Sequence, residues 1–219
     1  MSRRPSAFGW TFVVLLVLVL AGGAWAGWTW WGSTLVPGSR GPREADAAVA
    51  SWSASPAPSP TTSSVPTPTD GTVMAVLRIP ALGDSWRWPV VASTDDADAA
   101  LDHALAWYRG TAGAGQVGNF AVAGRAATGA DAFAELRRLR KGDDIVVQAP
   151  GVTYTYVVDV PASALTVGKD ASWVLDPVPG HRGAIPTQAV ITLTTSQDRV
   201  ATDARAVLMG HLVATRANR

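Results

Sequence analysis

Apolar and polar positions divide the chain into three stretches of different texture. From Phe8 to Trp31 apolar residues run almost without a break, reading FVVLLVLVLA from Phe12 to Ala21, and no charge occurs between Arg4 and Arg40. A membrane-spanning helix needs ~20 mostly apolar residues, so residues 1–35 are expected to form a cytoplasmic N-terminus and a transmembrane anchor. Arg3 and Arg4 precede the stretch, which favours a cytoplasmic N-terminus and puts the rest of the chain outside. Trp25, Trp28, Trp30 and Trp31 cluster at its far end, where indole rings prefer the headgroup layer. The rival reading is a cleaved signal peptide, because Ala24-Trp25-Ala26 resembles a small-x-small cleavage site. The apolar stretch continues past that site, which favours a retained single-pass anchor. Both readings put the remaining chain outside the cytoplasm.

Residues 36–70 lose the apolar run and gain no periodicity. Ser51 to Pro68 reads SWSASPAPSPTTSSVPTP. Proline removes backbone donors and favours extended polyproline II, so a semi-rigid spacer is expected here. Arg43 to Trp52 has room for a short helix, to which no chemistry is assigned.

From Gly71 to Arg219 the pattern becomes a series of short runs rich in Val, Ile, Thr and Tyr between Gly and Pro. They are Val73–Ile79, Asn119–Ala123, Asp144–Gln148, Thr153–Val160, Ala189–Thr195 and Arg205–Val213. Such runs read as strands. Asp131 to Leu139 instead spaces Phe133, Leu136 and Leu139 as a helix does, and Lys141-Gly142-Asp143 ends it. Many short strands with one or two short helices predict an all-β domain over 71–219, a closed or nearly closed barrel.

Composition then narrows the chemistry. A net charge of +1 gives no broad field for nucleic acid, so no nucleic-acid partner is expected. The sequence holds no cysteine, which excludes disulfides, thiolate metal sites and a cysteine nucleophile. His103, His181 and His211 lie far apart and lack metal-ligand spacing, so no metal or cofactor is expected. Gly113 to Gly118 matches G-x-G-x-x-G, but the fingerprint needs a strand before it and a helix after it. Here the strand-like NFAVAG follows, so a turn leading into a strand is expected. Arg137, Arg138, Arg140 and Lys141 read as a solvated helix end, where cations meet the helix dipole. Near the C-terminus, Val190 to Thr195 delivers Ser196 at a strand end, and Arg205 opens the next strand. A polar residue and a guanidinium so arranged could make a site, though a serine at a strand end is commonplace.

Those residues also carry a resemblance. Thr192-Leu-Thr-Thr-Ser196 resembles the TLTTC signature of sortases, with serine in place of the nucleophilic cysteine. Trp173 to Thr187 (WVLDPVPGHRGAIPT) resembles the segment before that motif in class E sortases. Gly115 to Gly124 (GQVGNFAVAG) resembles the stretch leading to the family's catalytic histidine, and Ile79 to Gly83 with Trp88 to Val91 resembles the opening of the domain. The similarity runs in order from about Val76 to Val213. It implies an eight-stranded sortase-like β-barrel and a cysteine transpeptidase ancestry, acting on LPXTG or, for class E, LAXTG-like sorting signals.

The resemblance assigns Arg125 to the histidine position, Ser196 to the cysteine position and Arg205 to the arginine position. Arg205 is kept; the family's His-Tyr pair reads Trp107-Tyr108. Serine is far less acidic than cysteine and needs a base, and a guanidinium stays protonated, so Arg125 cannot be that base. Asp198 is the one nearby candidate, and pairing with Arg125, Arg199 or Arg205 is its expected role. The reading favoured is a catalytically inactive binding domain. Arg205, Arg125, Ser196 and Thr195 are its candidate binding residues, and a sorting-signal peptide, a surface protein or a pilin its candidate partner. The alternatives are an active transpeptidase or hydrolase using Ser196, and a purely structural envelope protein.

Overall fold

The computed structural model describes residues 40–54, 69, 71–92, 100–126, 131–196 and 203–218. The expected anchor lies outside them, and among the described residues no helix is long and apolar enough to cross a membrane. A helix, α1 (Arg40–Ala54), precedes nine strands. These are β1 (Val73–Arg78), β2 (Arg87–Ala92), β3 (Leu105–Trp107), β4 (Gly118–Gly124), β5 (Asp144–Ala149), β6 (Val152–Val160), β7 (Thr166–Gly168), β8 (Ala189–Ser196) and β9 (Ala204–Ala217). They join in the order β6-β5-β1-β2-β3-β4-β8-β9, and β9 pairs back onto β6, so eight strands close a barrel. The short β7 lies on β9 beside that seam.

All six runs anticipated from their Val, Ile, Thr and Tyr content between Gly and Pro are strands, displaced by at most a few residues at their ends. Alternation is visible because the barrel has one dry side: Ala75, Leu77, Phe120, Val122, Ile145, Val147, Ile191, Leu193, Ala206 and Leu208 all point into the core. The pattern gave no run for β3 or β7, since three residues are too few to alternate. β2 carries Pro89, which has no N–H to give a ladder. It is tolerated because the parallel pairing of β2 with β3 begins only at Val90.

Two expectations change. Asp131 to Leu139 is not an α-helix but a series of turns ending in a 3-10 helix, Leu136–Arg138. The Phe133 N–H donates to the Arg125 carbonyl at 2.9 Å, so the segment is tied at its start to the exit of β4. The apolar spacing still does its work: Phe133, Leu136 and Leu139 are buried. The basic residues after it are exposed, with Arg138 paired to Glu135 at 2.7 Å.

The second change concerns residues 40–54, which were assigned to the spacer. α1 is longer than the Arg43–Trp52 segment anticipated and lies on the barrel. Gly41 sits against the Trp88 ring so closely that a Cβ there would be 2.1 Å from it. Ala45 is fully buried, and Asp46 meets Arg87 at 3.0 Å. α1 therefore packs into the same compact unit as the barrel.

The glycine-rich stretch does form a turn into β4, as expected. Gly115 has φ 73° and packs on the Tyr154 ring, with no room for a Cβ, while its N–H donates to the Tyr156 hydroxyl at 2.7 Å. Tyr156 is fully buried, and burial pushes its phenol up to about 12; the Gly115 bond lowers it and nearby Tyr154 raises it. An unfolded tyrosine ionises near 10. Below pH ~10 the buried phenol costs nothing in ionisation; as pH rises from ~10 to ~12 the unfolded chain gains by ionising and stability falls, by about 2–3 kcal/mol. Urea unfolding of wild type and Tyr156→Phe at pH 8 to 12 checks this. The variant should lose about 1 kcal/mol at pH 8 for the unmet Gly115 N–H, and be much less sensitive to pH above 10.

Candidate functional site

The three positions assigned from sequence sit on strand ends that the ladder brings together. β8 and β9 are antiparallel, with Ser196 directly opposite Arg205. β4 and β8 are parallel, with Gly124 opposite Thr195, so Arg125 leaves the sheet beside Ser196. Neighbouring strands lie ~5 Å apart. Residues 125, 196 and 205 thus occupy three adjacent strand ends at one rim of the barrel.

The exit of β4 is shaped by packing. Gly124 faces the core, where a Cβ would come within 2.4 Å of Phe133 and 2.8 Å of Leu105. The ring of Phe133 stacks on Trp86 at 6.4 Å, which fixes the wall that Gly124 leans on. Arg125 follows immediately, its carbonyl held by the Phe133 N–H and its guanidinium meeting Asp102 at 3.4 Å. Arg125 is partly buried, whereas the Asp102 side chain is 63% exposed. Arg205 is also half-buried at the start of β9, with Nη1 3.5 Å from the Ala204 carbonyl. Ala206, next to it, packs in the core.

Thr195 behaves differently from the other candidates. It is 3% exposed, it lies on the same face of β8 as the core residues Ile191 and Leu193, and its partner across β9 is Ala206. Its side chain therefore packs at the barrel end, not on an open surface. Asp198, the candidate base named from the sequence, lies outside the described residues.

Three further side chains find their partners across the fold. Asp102 reaches Arg125 only through the fold. Tyr108, at the end of β3, places its hydroxyl 3.0 Å from that of Thr194, and either can be the donor. Asn119, at the start of β4, is buried and donates to the Val174 and Asp176 carbonyls at 2.9 and 3.1 Å, holding the segment after β7 over the sheet. That segment lines a cavity of about 240 Å³ with Pro177, Pro179, His181, Ile185 and Val190. Val190 begins β8, so the cavity lies at the opposite end of that strand from Ser196. Among the described residues no cluster of ligating side chains suits a metal ion. Two histidines are engaged locally: His211 with Asp159 at 2.7 Å and His181 with the Pro179 carbonyl at 3.2 Å.

The comparisons with known proteins bear on this arrangement. The Sortase domain family matches residues 77–213. Sortase E from Streptomyces avermitilis is 35% identical, with a TM-score of 0.60 over 68% of this chain and 93% of that one. The SrtA sortase from Actinomyces oris is 25% identical, with a TM-score of 0.64 over 74% and 91%. The SrtF sortase from Corynebacterium diphtheriae is similar in fold, at 22% identity and TM-score 0.63 over 70% and 90%. No match was found among curated protein sequences.

The contact between Gly124 and Phe133 predicts a specific weakness. Gly124→Ala should destabilise the fold by about 1–3 kcal/mol through overpacking. Phe133→Leu in the same chain should recover part of that loss. Denaturant midpoints of the single and double variants check it; an unchanged midpoint for Gly124→Ala would contradict the packing.

Proposed function

The chain belongs to the sortase family, and from that premise we propose that it is a catalytically silent member, most like class E, that binds a sorting-signal peptide or the surface protein bearing it. One observation carries the reading: the whole sequence holds no cysteine, and a guanidinium stands at the exit of β4 where the family resemblance puts an imidazole. Sortase chemistry needs an ionisable nucleophile and a group that can take a proton and return it. A thiol ionises near pH ~8.5, and a cation nearby brings that lower. An alcohol does not ionise in this range and requires a positioned base. A guanidinium offers donors only and cannot serve as that base, and the guanidinium of Arg125 is engaged by Asp102.

What remains suits holding better than cutting. Arg205 at the strand end can donate to a peptide carbonyl or carboxylate. The barrel around it keeps the register that aligns the three strand ends. The charge-free stretch from Pro5 to Ser39 supports an anchor that keeps this domain outside the membrane, where surface proteins pass. The same stretch is consistent with a single-pass protein whose C-terminal domain faces the cell envelope.

The test is direct. The full chain in detergent is incubated with LPXTG- and LAXTG-type peptides and an amine acceptor, and products are sought by mass spectrometry. No turnover above the rate without protein is expected. Turnover that disappears in Ser196→Ala would replace this reading with that of a serine-dependent enzyme.

A further inference from the structure

Resting on the reading of the rim as a binding site, we infer that α1 is a positioning element of that site. Gly41 braces the turn that carries Asp102, and thereby sets how Asp102 holds Arg125. Gly41 lies in the first turn of α1, where two parts of the barrel come together. A Cβ there would come within 2.1 Å of the Trp88 ring and 2.8 Å of the His103 carbonyl. A glycine is what lets the helix backbone approach this closely. Trp88 belongs to β2, and His103 lies two residues before β3. β2 and β3 pair in parallel from Val90 and Leu105 onward. The helix therefore meets one partner on each side of the junction from which β3 starts.

The turn that α1 meets has little to hold itself. Within residues 100–104 the His103 and Ala104 N–H groups both donate to the Ala100 carbonyl, at 3.3 and 2.9 Å. A single helical turn is not stable on its own, so packing must fix it. Ala104 is fully buried beneath it, and Gly41 meets it from α1. Asp102 stands on this turn and reaches Arg125 at 3.4 Å, as one partner of that guanidinium. The pair is exposed enough that attraction alone contributes little. What Asp102 supplies is direction for the guanidinium, and its own direction comes from the turn. α1 is seated by contacts of its own, since Ala45 is fully buried and Asp46 meets Arg87 at 3.0 Å.

The path runs from Gly41 to the His103 carbonyl, along the turn to Asp102, and from Asp102 to Arg125. Coupling of this kind travels through contiguous packed contacts. Undocking α1 loosens the turn without breaking any strand pairing. Residues 40–54 precede the stretch 77–213 that the Sortase domain family matches, so the brace lies outside the part of the chain that carries the resemblance.

The test uses the full chain in detergent. Hydrogen exchange followed by mass spectrometry reads residues 100–105, and labelling with phenylglyoxal, located by peptide mapping, reads the hold on Arg125. Gly41→Val should speed exchange across 100–105 about tenfold or more while β9 keeps its wild-type rate. It should raise labelling of Arg125 about threefold or more and leave that of Arg138 unchanged; Asp102→Asn should do the same, and the double variant should add nothing beyond either. Asp46→Lys faces Arg87 and leaves the core alone. It should move both readouts the same way by less, and it decides the matter where Gly41→Val folds poorly. Additive labelling overturns the coupling, and so does wild-type exchange at 100–105 while α1 itself exchanges freely. In the same samples, isothermal titration calorimetry with acetyl-Leu-Ala-Gln-Thr-Gly-Gly-amide reads the site. Gly41→Val should weaken binding about threefold or more, through lost preorganisation, and unchanged affinity overturns the role of α1 there. No binding to the unmodified chain overturns the binding reading instead, while exchange and labelling still decide the coupling.

Discussion

Closure of the sheet through β9 is the constraint from which the rest follows. This strand pairs with β8 along Arg205–His211 and with β6 along Met209–Ala217, and β7 fills its remaining edge. Bulges in the β6–β9 ladder, at Thr155/Tyr156 and Val158/Val160, let the seam bend far enough to close. Gly210 sits at that bend, with no space for a Cβ beside the Val157 carbonyl. Without the seam, β6 and β9 would expose their ladders to water, and β8 would have no fixed partner for its last residue. The backbone placement of Ser196 opposite Arg205 is set by the register of β8 on β9, the strand that also closes the barrel.

The same logic explains which parts of the fold could be anticipated. Long strands with one buried face write their period into the sequence, as Ala189–Ser196 and Val152–Val160 do. Three-residue strands cannot, and their existence depends on neighbours far away in the chain. Asp131–Leu139 shows a subtler failure. Its apolar spacing is set by the need to bury Phe133, Leu136 and Leu139, and successive turns meet that need as well as a helix does. α1 was legible as a helix but not as a docked one. Its docking depends on a glycine meeting Trp88, a contact between residues distant in sequence.

The site divides along the same line. Arg125, Ser196 and Arg205 were assigned by resemblance, and the ladder brings their backbone positions together. Thr195, also among the candidate binding residues, packs inward on the face of β8 that carries Ile191 and Leu193. Of the partners at the rim, Asp102 carries no local signature, and Tyr108, marked by resemblance, gave no hint of its contact with Thr194. Each is delivered by an irregular segment whose course depends on the barrel being built first.

That ordering bears on how a catalytic centre can be lost while its scaffold persists. The residues that hold the rim in shape are the core positions Gly124, Phe133, Leu193 and Ala206, together with the ladder itself. None of them takes part in proton transfer. Replacing a thiol by an alcohol or an imidazole by a guanidinium at the rim changes ionisation and hydrogen-bonding capacity without touching those contacts. A guanidinium even finds an anchor there, since Asp102 lies within reach and the carbonyl of Arg125 remains held by Phe133. On the proposed reading, such substitutions leave the geometry of three converging strand ends in place, because that geometry rests on the ladder and the core and not on the groups that move protons.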